Sequence, residues 1–499
     1  MIRRAKLRNA LLAATAATVA ALAEASPASA ASISTFTAGD LVISTVSSLN
    51  GGGLDTAAPI VLEQFQLGAG GTSATANGTL TLPQTASGAN SAISGEYGSA
   101  SEGILQRSVN GQYLTIMGYG VNAATFNSAP LSTYGTAALG QTTSLTAANQ
   151  TGTVYTTVPR VVALIGNGSI DTSTALTGVF NTNNPRSAVT VDGSSFYVSG
   201  QGASKTDTTQ GVFYAVKGDT TATPIDTSTD TRVVSIVNTG SGNTLYVSRD
   251  QNPPGSGSQN YSNVSSLTAP GGGLPTSAAG LITTHITPPA TPLSLGGNNG
   301  SINLTAATAN GVNNPRIGNF VYVSPESYFF ASPTVLYVTD SGQPKNGNAN
   351  KAALGAGGLQ KWVLVAGVWT LEYDLSTGLN LVNNANANGN TPTAPGVTGL
   401  LGLTGEVVGG NVELFATSYG LNELSPSFLY EITDPLAATT APGGESFTTL
   451  YAAPGDTSIR GVAFAPVPEP SSIAVFALGL AGLVLLRPRA GNARIAESV

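Results

Sequence analysis

The chain has 499 residues, no cysteine, one histidine and a net charge of −7, and 9% of its residues are charged, against about 25% in an ordinary globular protein. The missing cysteines exclude disulfide staples, thiolate zinc sites and cysteine nucleophiles, and a lone His285 excludes zinc held by several histidines. The acidic balance argues against nucleic acid, which needs a basic footprint, and the scarcity of helix formers excludes a helical bundle.

Residues 1–30 read as a secretory signal peptide. Arg3, Arg4, Lys6 and Arg8 form a positive n-region, Ala10 to Ala23 an apolar h-region, and Ala28-Ser29-Ala30 offers small residues for cleavage before Ala31. The segment is too short and too weakly hydrophobic for a free-standing anchor. Its removal takes away four positive charges and Glu24, which leaves the mature chain near −10. Without disulfides, an exported chain of this size needs a sizeable core of its own.

Residues 31–466 are expected to form one all-β domain. Its recurring unit is an arginine, a short strand, a turn containing Gly or Asn, and an apolar strand. Arg107 to Val109 turns at Asn110-Gly111 into Tyr113 to Ile116, and Arg186 to Val189 turns at Asp192-Gly193 into Phe196 to Ser199. Arg232 to Val234 turns near Gly242-Asn243 into Leu245 to Ser248, and Arg316 opens a strand through Val321-Tyr322-Val323 that precedes Val335 to Val338. A copy without the arginine runs from Glu406-Val407-Val408 through Gly409-Gly410-Asn411 into Val412 to Ala416. Asn-Gly and Asp-Gly reach positive φ at low cost, and β-branched and aromatic residues fill the pleats.

The flanks repeat too: Asn183-Asn184-Pro185-Arg186 returns as Asn313-Asn314-Pro315-Arg316, and Ile170 to Ser173 as Ile225 to Ser228. With the strand candidates between hairpins, each repeat holds about four strands, the content of a propeller blade. Ser458 to Phe464 reads as one more blade opening, with Leu41 to Ser44 and Ile60 to Leu67 as partners. The expectation is a β-propeller of six blades, or seven if Arg160 opens its own, closed by pairing of N- and C-terminal strands. A parallel β-helix or a pair of sandwiches stands as the alternative.

Chemistry is sparse in this domain. No G-x-S-x-G elbow surrounds a serine, so His285 has no triad to serve. Asp219, Asp226 and Asp230 lack calcium-loop spacing and read as turn residues. Glu96, Glu102, Glu406 and Glu413 are the carboxylates from which a glycosidase pair, about 5–9 Å apart, would be drawn. Trp362 and Trp369 read as core residues of one hairpin bent at Gly367. If each hairpin's first strand lines a central channel, Arg107, Arg186, Arg232, Arg316 and Arg460 form a cationic ring for an anionic sugar or phosphate. The bland counterpart is that each arginine pairs with a neighbouring carboxylate or with loop carbonyls between blades. Neither a metal site nor a cofactor site is expected.

The tail is the most specific stretch. Val467-Pro468-Glu469-Pro470 precedes an apolar run to Leu486, and Arg487-Pro488-Arg489 then stops it. As a helix, residues 471–486 would span about 24 Å, slightly short of a hydrocarbon core of about 30 Å. The positive-inside bias puts Arg487 and Arg489 in the cytoplasm, followed by a short cytoplasmic tail, 490–499. Pro-Glu-Pro, a short apolar helix and a basic stop resemble the PEP-CTERM sorting signal of bacterial surface proteins. That resemblance implies export machinery and an exosortase-type membrane protease as partners. It also implies transient residence at the inner membrane, then release to the cell surface or medium. The reading is an exported, non-enzymatic binding or structural propeller, with extracellular polysaccharide as the candidate ligand. A carbohydrate-active enzyme using paired carboxylates in the channel is the first alternative. An ordinary membrane-anchored propeller serving as a protein-interaction subunit is the second.

Overall fold

Alternating β-branched and aromatic residues, punctuated by Gly, Asn and Asp turns, leave the backbone little choice but strands. A computed structural model describes residues 31–99, 101–204, 206–249, 263–287, 301–303, 320–322, 325–341, 357–379, 381, 396–420 and 426–467. The expected signal peptide, Arg316 and everything from Pro468 onward, including the expected membrane helix, lie outside the described residues. Among the described residues no helix is long and apolar enough to cross a membrane.

The first eight strands are β1 (Leu41–Ser47), β2 (Ala57–Leu67), β3 (Ala74–Thr81), β4 (Ser94–Glu96), β5 (Gln106–Arg107), β6 (Tyr113–Tyr119), β7 (Arg160–Gly166) and β8 (Ser169–Leu176). Four four-stranded antiparallel sheets follow in a propeller-like arrangement. One holds β9 (Pro185–Val189), β10 (Ser195–Gly200), β11 (Gly211–Val216) and β12 (Thr223–Asp226). The next holds β13 (Val234–Asn238), β14 (Asn243–Arg249), β15 (Asn263–Thr268) and β16 (Ile282–Thr287). After a two-stranded pair, β17 (Ser301–Asn303) and β18 (Phe320–Tyr322), come β19 (Pro325–Ser332), β20 (Val335–Asp340), β21 (Gly358–Val365) and β22 (Val368–Leu375). The last of the four holds β23 (Val397–Val408), β24 (Asn411–Gly420), β25 (Phe428–Pro435) and β26 (Thr448–Ala452). The final strand, β27 (Thr457–Phe464), joins β1 in a nine-stranded sheet of order β27-β1-β2-β4-β6-β7-β8, with β3 on β2 and β5 on β6.

Two details differ from the sequence expectation, and the tryptophan hairpin agrees with it. Arg160 does not open a blade, because β7 lies between β6 and β8 in one sheet. The partner of Val335 to Val338 is β19, not the strand through Val321, which pairs with β17. Trp362 and Trp369 sit on paired strands across the Ala366-Gly367 turn, Trp362 opposite Leu371 and Trp369 opposite Leu364. Both pack into one apolar cluster, and the Trp362 indole N–H donates to Gln360 Oε1 at 3.0 Å.

Apolar clusters lie between successive sheets. Met117 and Leu164 pack on Phe196 and Phe213, Tyr197 on Val234 and Leu245, Tyr246 and Val264 on Tyr328 and Trp362. Tyr337 and Tyr373 pack on Leu414 and Tyr430, and Phe415 and Leu429 on Leu41 and Phe65. Each such side chain removes apolar surface from water at about 25 cal/mol per Å², so stability is spread over many boundaries.

Candidate functional site

The loops joining second to third strands, and one sheet to the next, gather at one end of β4 and β6. Between β6 and β7 the chain forms α1 (Ala123–Ser128) and α2 (Leu131–Tyr134) and a turn at Leu139–Gln141. Asn122 caps α1 through its side-chain oxygen, which accepts from Thr125 N at 2.8 Å. The Leu139–Gln141 turn forms one wall of an open cavity of about 500 Å³ lined by Asp55, Glu96, Gly140, Gln141, Thr182, Asn183 and Asn184. The lining is almost wholly hydrogen-bonding.

Glu96 ends β4 and is 6% exposed; Glu102 behind it is 2% exposed. Glu96 N donates to Glu102 Oε1 at 2.5 Å and Tyr119 OH to Glu102 Oε2 at 2.9 Å. The Tyr119 hydroxyl also lies 3.3 Å from Asn184 Oδ1, and Asn184 Nδ2 donates to Ser99 Oγ at 2.8 Å. Gly140 N donates to Glu96 Oε1 at 2.8 Å, and Arg460 Nη2 to Glu96 O at 3.4 Å.

Burial, then the Glu102 charge, push the Glu96 carboxyl up to about 8, so it is a neutral acid at pH 7. Burial also raises Glu102, but Arg460, the Glu96 N–H and the Tyr119 hydroxyl oppose that rise. Burial thus raises both carboxyls, and it is for Glu102, behind the cavity, that a guanidinium and two hydrogen-bond donors oppose the rise.

Arg160 holds this architecture from beneath. It is fully buried and donates to Phe180 O at 3.0 Å, Thr142 O at 2.9 Å, Val158 O at 2.9 Å and Asn183 O at 3.2 Å. Its guanidinium lies 4.7 Å from the Tyr119 ring centroid. The loops it ties carry backbone strain: Thr182 has φ 53°, Phe180 49°, and Asp55 across the cavity 68°. Positive φ at a β-branched or bulky residue persists only where surroundings over-determine it, and such strain clusters at functional sites. Gly140 is required by close approach. A Cβ there would stand 2.7 Å from Glu96 Oε2 and 2.8 Å from Asn184 Oδ1. Gly140→Ala should therefore cost about 1–3 kcal/mol, read from the urea midpoint, by overpacking the cavity wall.

Of the five arginines read as a ring, Arg107, Arg186, Arg232 and Arg460 lie against protein groups, and Arg316 lies outside the described residues. Arg186 meets Asp230 Oδ2 at 3.1 Å and Thr231 O at 2.9 Å. Arg232 lies 3.8 Å from Glu326 Oε1, and Arg460 faces the Glu96–Glu102 pair. Arg107 is half-buried and bonds Gly111 O at 3.3 Å, with Glu406 as its nearby opposite charge. Arg186 and Arg232 each reach a carboxylate that precedes or opens the next sheet, so they clasp neighbouring sheets. Leaving such charges unpaired in a buried setting would cost several kcal/mol, which is why they found partners.

The remaining sequence candidates scatter. Glu406 and Glu413 oppose each other across β23 and β24, away from the cavity. His285 lies on β16 opposite Ser265. Asp226 pairs with Arg249 at 2.7 Å; burial pushes its carboxyl up, but the guanidinium and Ser228 outweigh that and hold it below the usual range. Asp219 caps its own turn, accepting from Val216 N at 2.8 Å. Ala31, the residue after the expected cleavage, accepts from Thr79 N at 2.9 Å, and Val467 N donates to Gly111 O at 2.9 Å. Asp55, Gly140, Gln141, Thr182 and Arg160 were missed as site residues. Only Arg160 left a signal, as a charge heading the otherwise apolar run Val161 to Ile165.

Residues 466–490 match the family model for the PEP-CTERM protein-sorting motif. This bears out the resemblance read in the tail and implies an exported protein recognised by exosortase and destined for the cell surface or exterior. Curated proteins give no match. Among solved structures, a mutant of the Bombyx mori GH32 beta-fructofuranosidase BmSUC1 in complex with sucrose is similar over 68% of this chain, at 10% identity and a TM-score of 0.26. The similarity spans 65% of that chain, less than two thirds of it.

Proposed function

We propose that the chain is an exported, exosortase-processed surface protein whose closed six-bladed propeller binds a polyhydroxylated ligand of the extracellular-polysaccharide class in the Glu96 cavity. The nine-stranded sheet is read as two blades, β27-β1-β2-β3 and β5 to β8, bridged by β4. Support for closure comes from the antiparallel register of β1 on β27, with Leu41 opposite Phe464, and from the cluster joining Phe415 to Leu41. Supporting processing without unfolding, β27 ends before Pro468, so cutting near Pro-Glu-Pro leaves the domain whole.

One observation carries the binding reading: a concave site built from a neutral carboxyl, an aspartate, amides and a hydroxyl, with no cation facing it among its lining residues. Such a lining offers donors and acceptors together, which is what vicinal hydroxyls need, and offers an anion little. A second reading has its own support, since Glu96 as a neutral acid beside the Asp55 carboxyl is the pairing a glycosidase uses.

The test takes protein from surface and medium. Mass spectrometry should find a new C-terminus near Pro470; an intact Val499 in every fraction would remove the processing step. Titration of the mature protein with polysaccharide from the same cells should give binding that Asn183→Ala and Glu96→Ala each weaken by about tenfold, or 1.4 kcal/mol. Binding indifferent to both variants would discard the cavity as the site. Shortened saccharide products would favour the enzyme.

A further inference from the structure

In a four-stranded antiparallel sheet the first and third turns share one edge, and the second turn lies at the other. Neighbouring sheets here set their first-and-third-turn edges side by side. Val109 N and Asn110 N, in the β5–β6 turn, donate to Thr190 O and Val191 O beside the β9–β10 turn, at 3.1 and 3.0 Å. Phe330, near the end of β19, stacks on Tyr246 of β14 at 4.6 Å and on Trp369 of β22 at 5.9 Å. The Glu96 cavity is built from the opposite edges.

Exposed large apolar side chains sort by these edges. Val109, Val216, Val365, Val368, Val407 and Val408 are 38–58% exposed, and all lie in or beside first and third turns; Ile282, heading β16, does too. Among the described residues, only Leu54, Leu131 and Val154 are comparably exposed on the cavity side. Single exposed valines need no explanation, but this one-sidedness does.

The chain leaves the domain on the valine side, where Val467 N is tied to Gly111 O. Five residues, Pro468 to Ser472, then separate it from the apolar run that begins at Ile473. Fully extended, five residues reach only about 17 Å. When that run is seated in a bilayer, the valine-bearing turns are held at the lipid surface, and the cavity faces away.

The geometry points to this turn face as a membrane-docking surface, whose valine tips enter the headgroup–acyl boundary while the protein awaits processing. The inference rests on the reading of the tail as a membrane-inserted sorting segment. Cutting near Pro-Glu-Pro would remove the tether, and the shallow contact alone would hold the domain weakly and reversibly.

The chain lacks cysteine, so single labels are unambiguous. Full-length V368C, V408C and V154C, each carrying an environment-sensitive fluorophore, are reconstituted in phosphatidylethanolamine–phosphatidylglycerol vesicles containing doxyl-labelled lipid. Carbonate extraction of the same vesicles reports insertion of the tail. The expected result is an inserted chain with V368C and V408C quenched by the doxyl groups and V154C unchanged. A chain stripped by carbonate overturns the anchor reading, and the docking with it. Insertion with unquenched V368C and V408C overturns the docking alone. Shielding of those labels from aqueous iodide without doxyl quenching means that a second copy of the chain covers the face, and also overturns it.

Discussion

Replacing Lys361 by methionine should lower the unfolding free energy of the domain by about 3–5 kcal/mol, the loss expected when one partner of a buried ion pair is removed. Lys361 on β21 and Asp434 on β25 have fully buried side chains, 2.8 Å apart, at the boundary of two sheets. Lys361 Nζ also donates to Tyr373 OH at 3.0 Å and Pro435 O at 2.7 Å. Asp434 accepts from the hydroxyls of Tyr337 and Tyr373. Burial, followed by the Asp434 hydrogen bonds, pushes both phenols well above their usual range, so they stay neutral donors. Methionine fills a similar volume but leaves Asp434 with no compensating cation. The double variant Lys361→Met/Asp434→Asn should recover part of the loss, because the desolvation cost of both charges goes together. Denaturant unfolding of the single and double variants checks this. A single-variant loss below about 1 kcal/mol, the worth of an exposed pair, would mean the cluster is solvated and does not fasten the sheets.

What could be read from the residues was what local chemistry decides. Asn110-Gly111 and Asp192-Gly193 force their turns wherever the rest of the chain lies, and β5 to β6 and β9 to β10 form around them. The hairpin after Arg316 was misassigned for the same reason inverted: nothing local told Pro325–Ser332 from the strand before it as partner of Val335. Lys361 was invisible, since a lysine in Gly358–Val365 is ordinarily assigned to solvent and its partner lies beyond the next three strands. The arginines were seen as a set, but Asp230 and Glu326 stand across sheet boundaries that spacing does not reveal. The cavity was least legible. Asp55, Glu96, Gly140 and Thr182 come from separate loops, share no motif, and acquire their chemistry only when burial raises Glu96.

That burial has a measurable consequence: the domain should be more stable near pH 5 than near pH 8.5, and Glu96→Gln should remove much of the difference. The folded carboxyl is raised from 4.5 to about 8, so between those values the folded state holds a proton that the unfolded chain releases. Stability from this group is therefore full below about 4.5 and is lost as pH rises through about 8. At about 1.36 kcal/mol per unit the shift sets an upper limit near 5 kcal/mol. Glu102 and Glu445, also raised, slope the same way, whereas the depressed Asp171 and Asp226 act only in more acidic solution. Glutamine keeps an acceptor for Gly140 N and carries no charge, so the variant should match the native protein near pH 5 and exceed it near pH 8.5. Urea unfolding at the two pH values decides it; a native domain equally stable at both would mean water reaches Glu96 freely. The same proton matters to the cavity. A neutral Glu96 donates a hydrogen bond that its anion cannot, so polysaccharide binding should weaken as pH rises through about 8, where the loss of stability from this group levels off. Glu96→Gln, which still donates, should bind with affinity independent of pH. A binding midpoint at the same pH, near 8, at which the stability loss flattens in the native protein would tie both to one carboxyl.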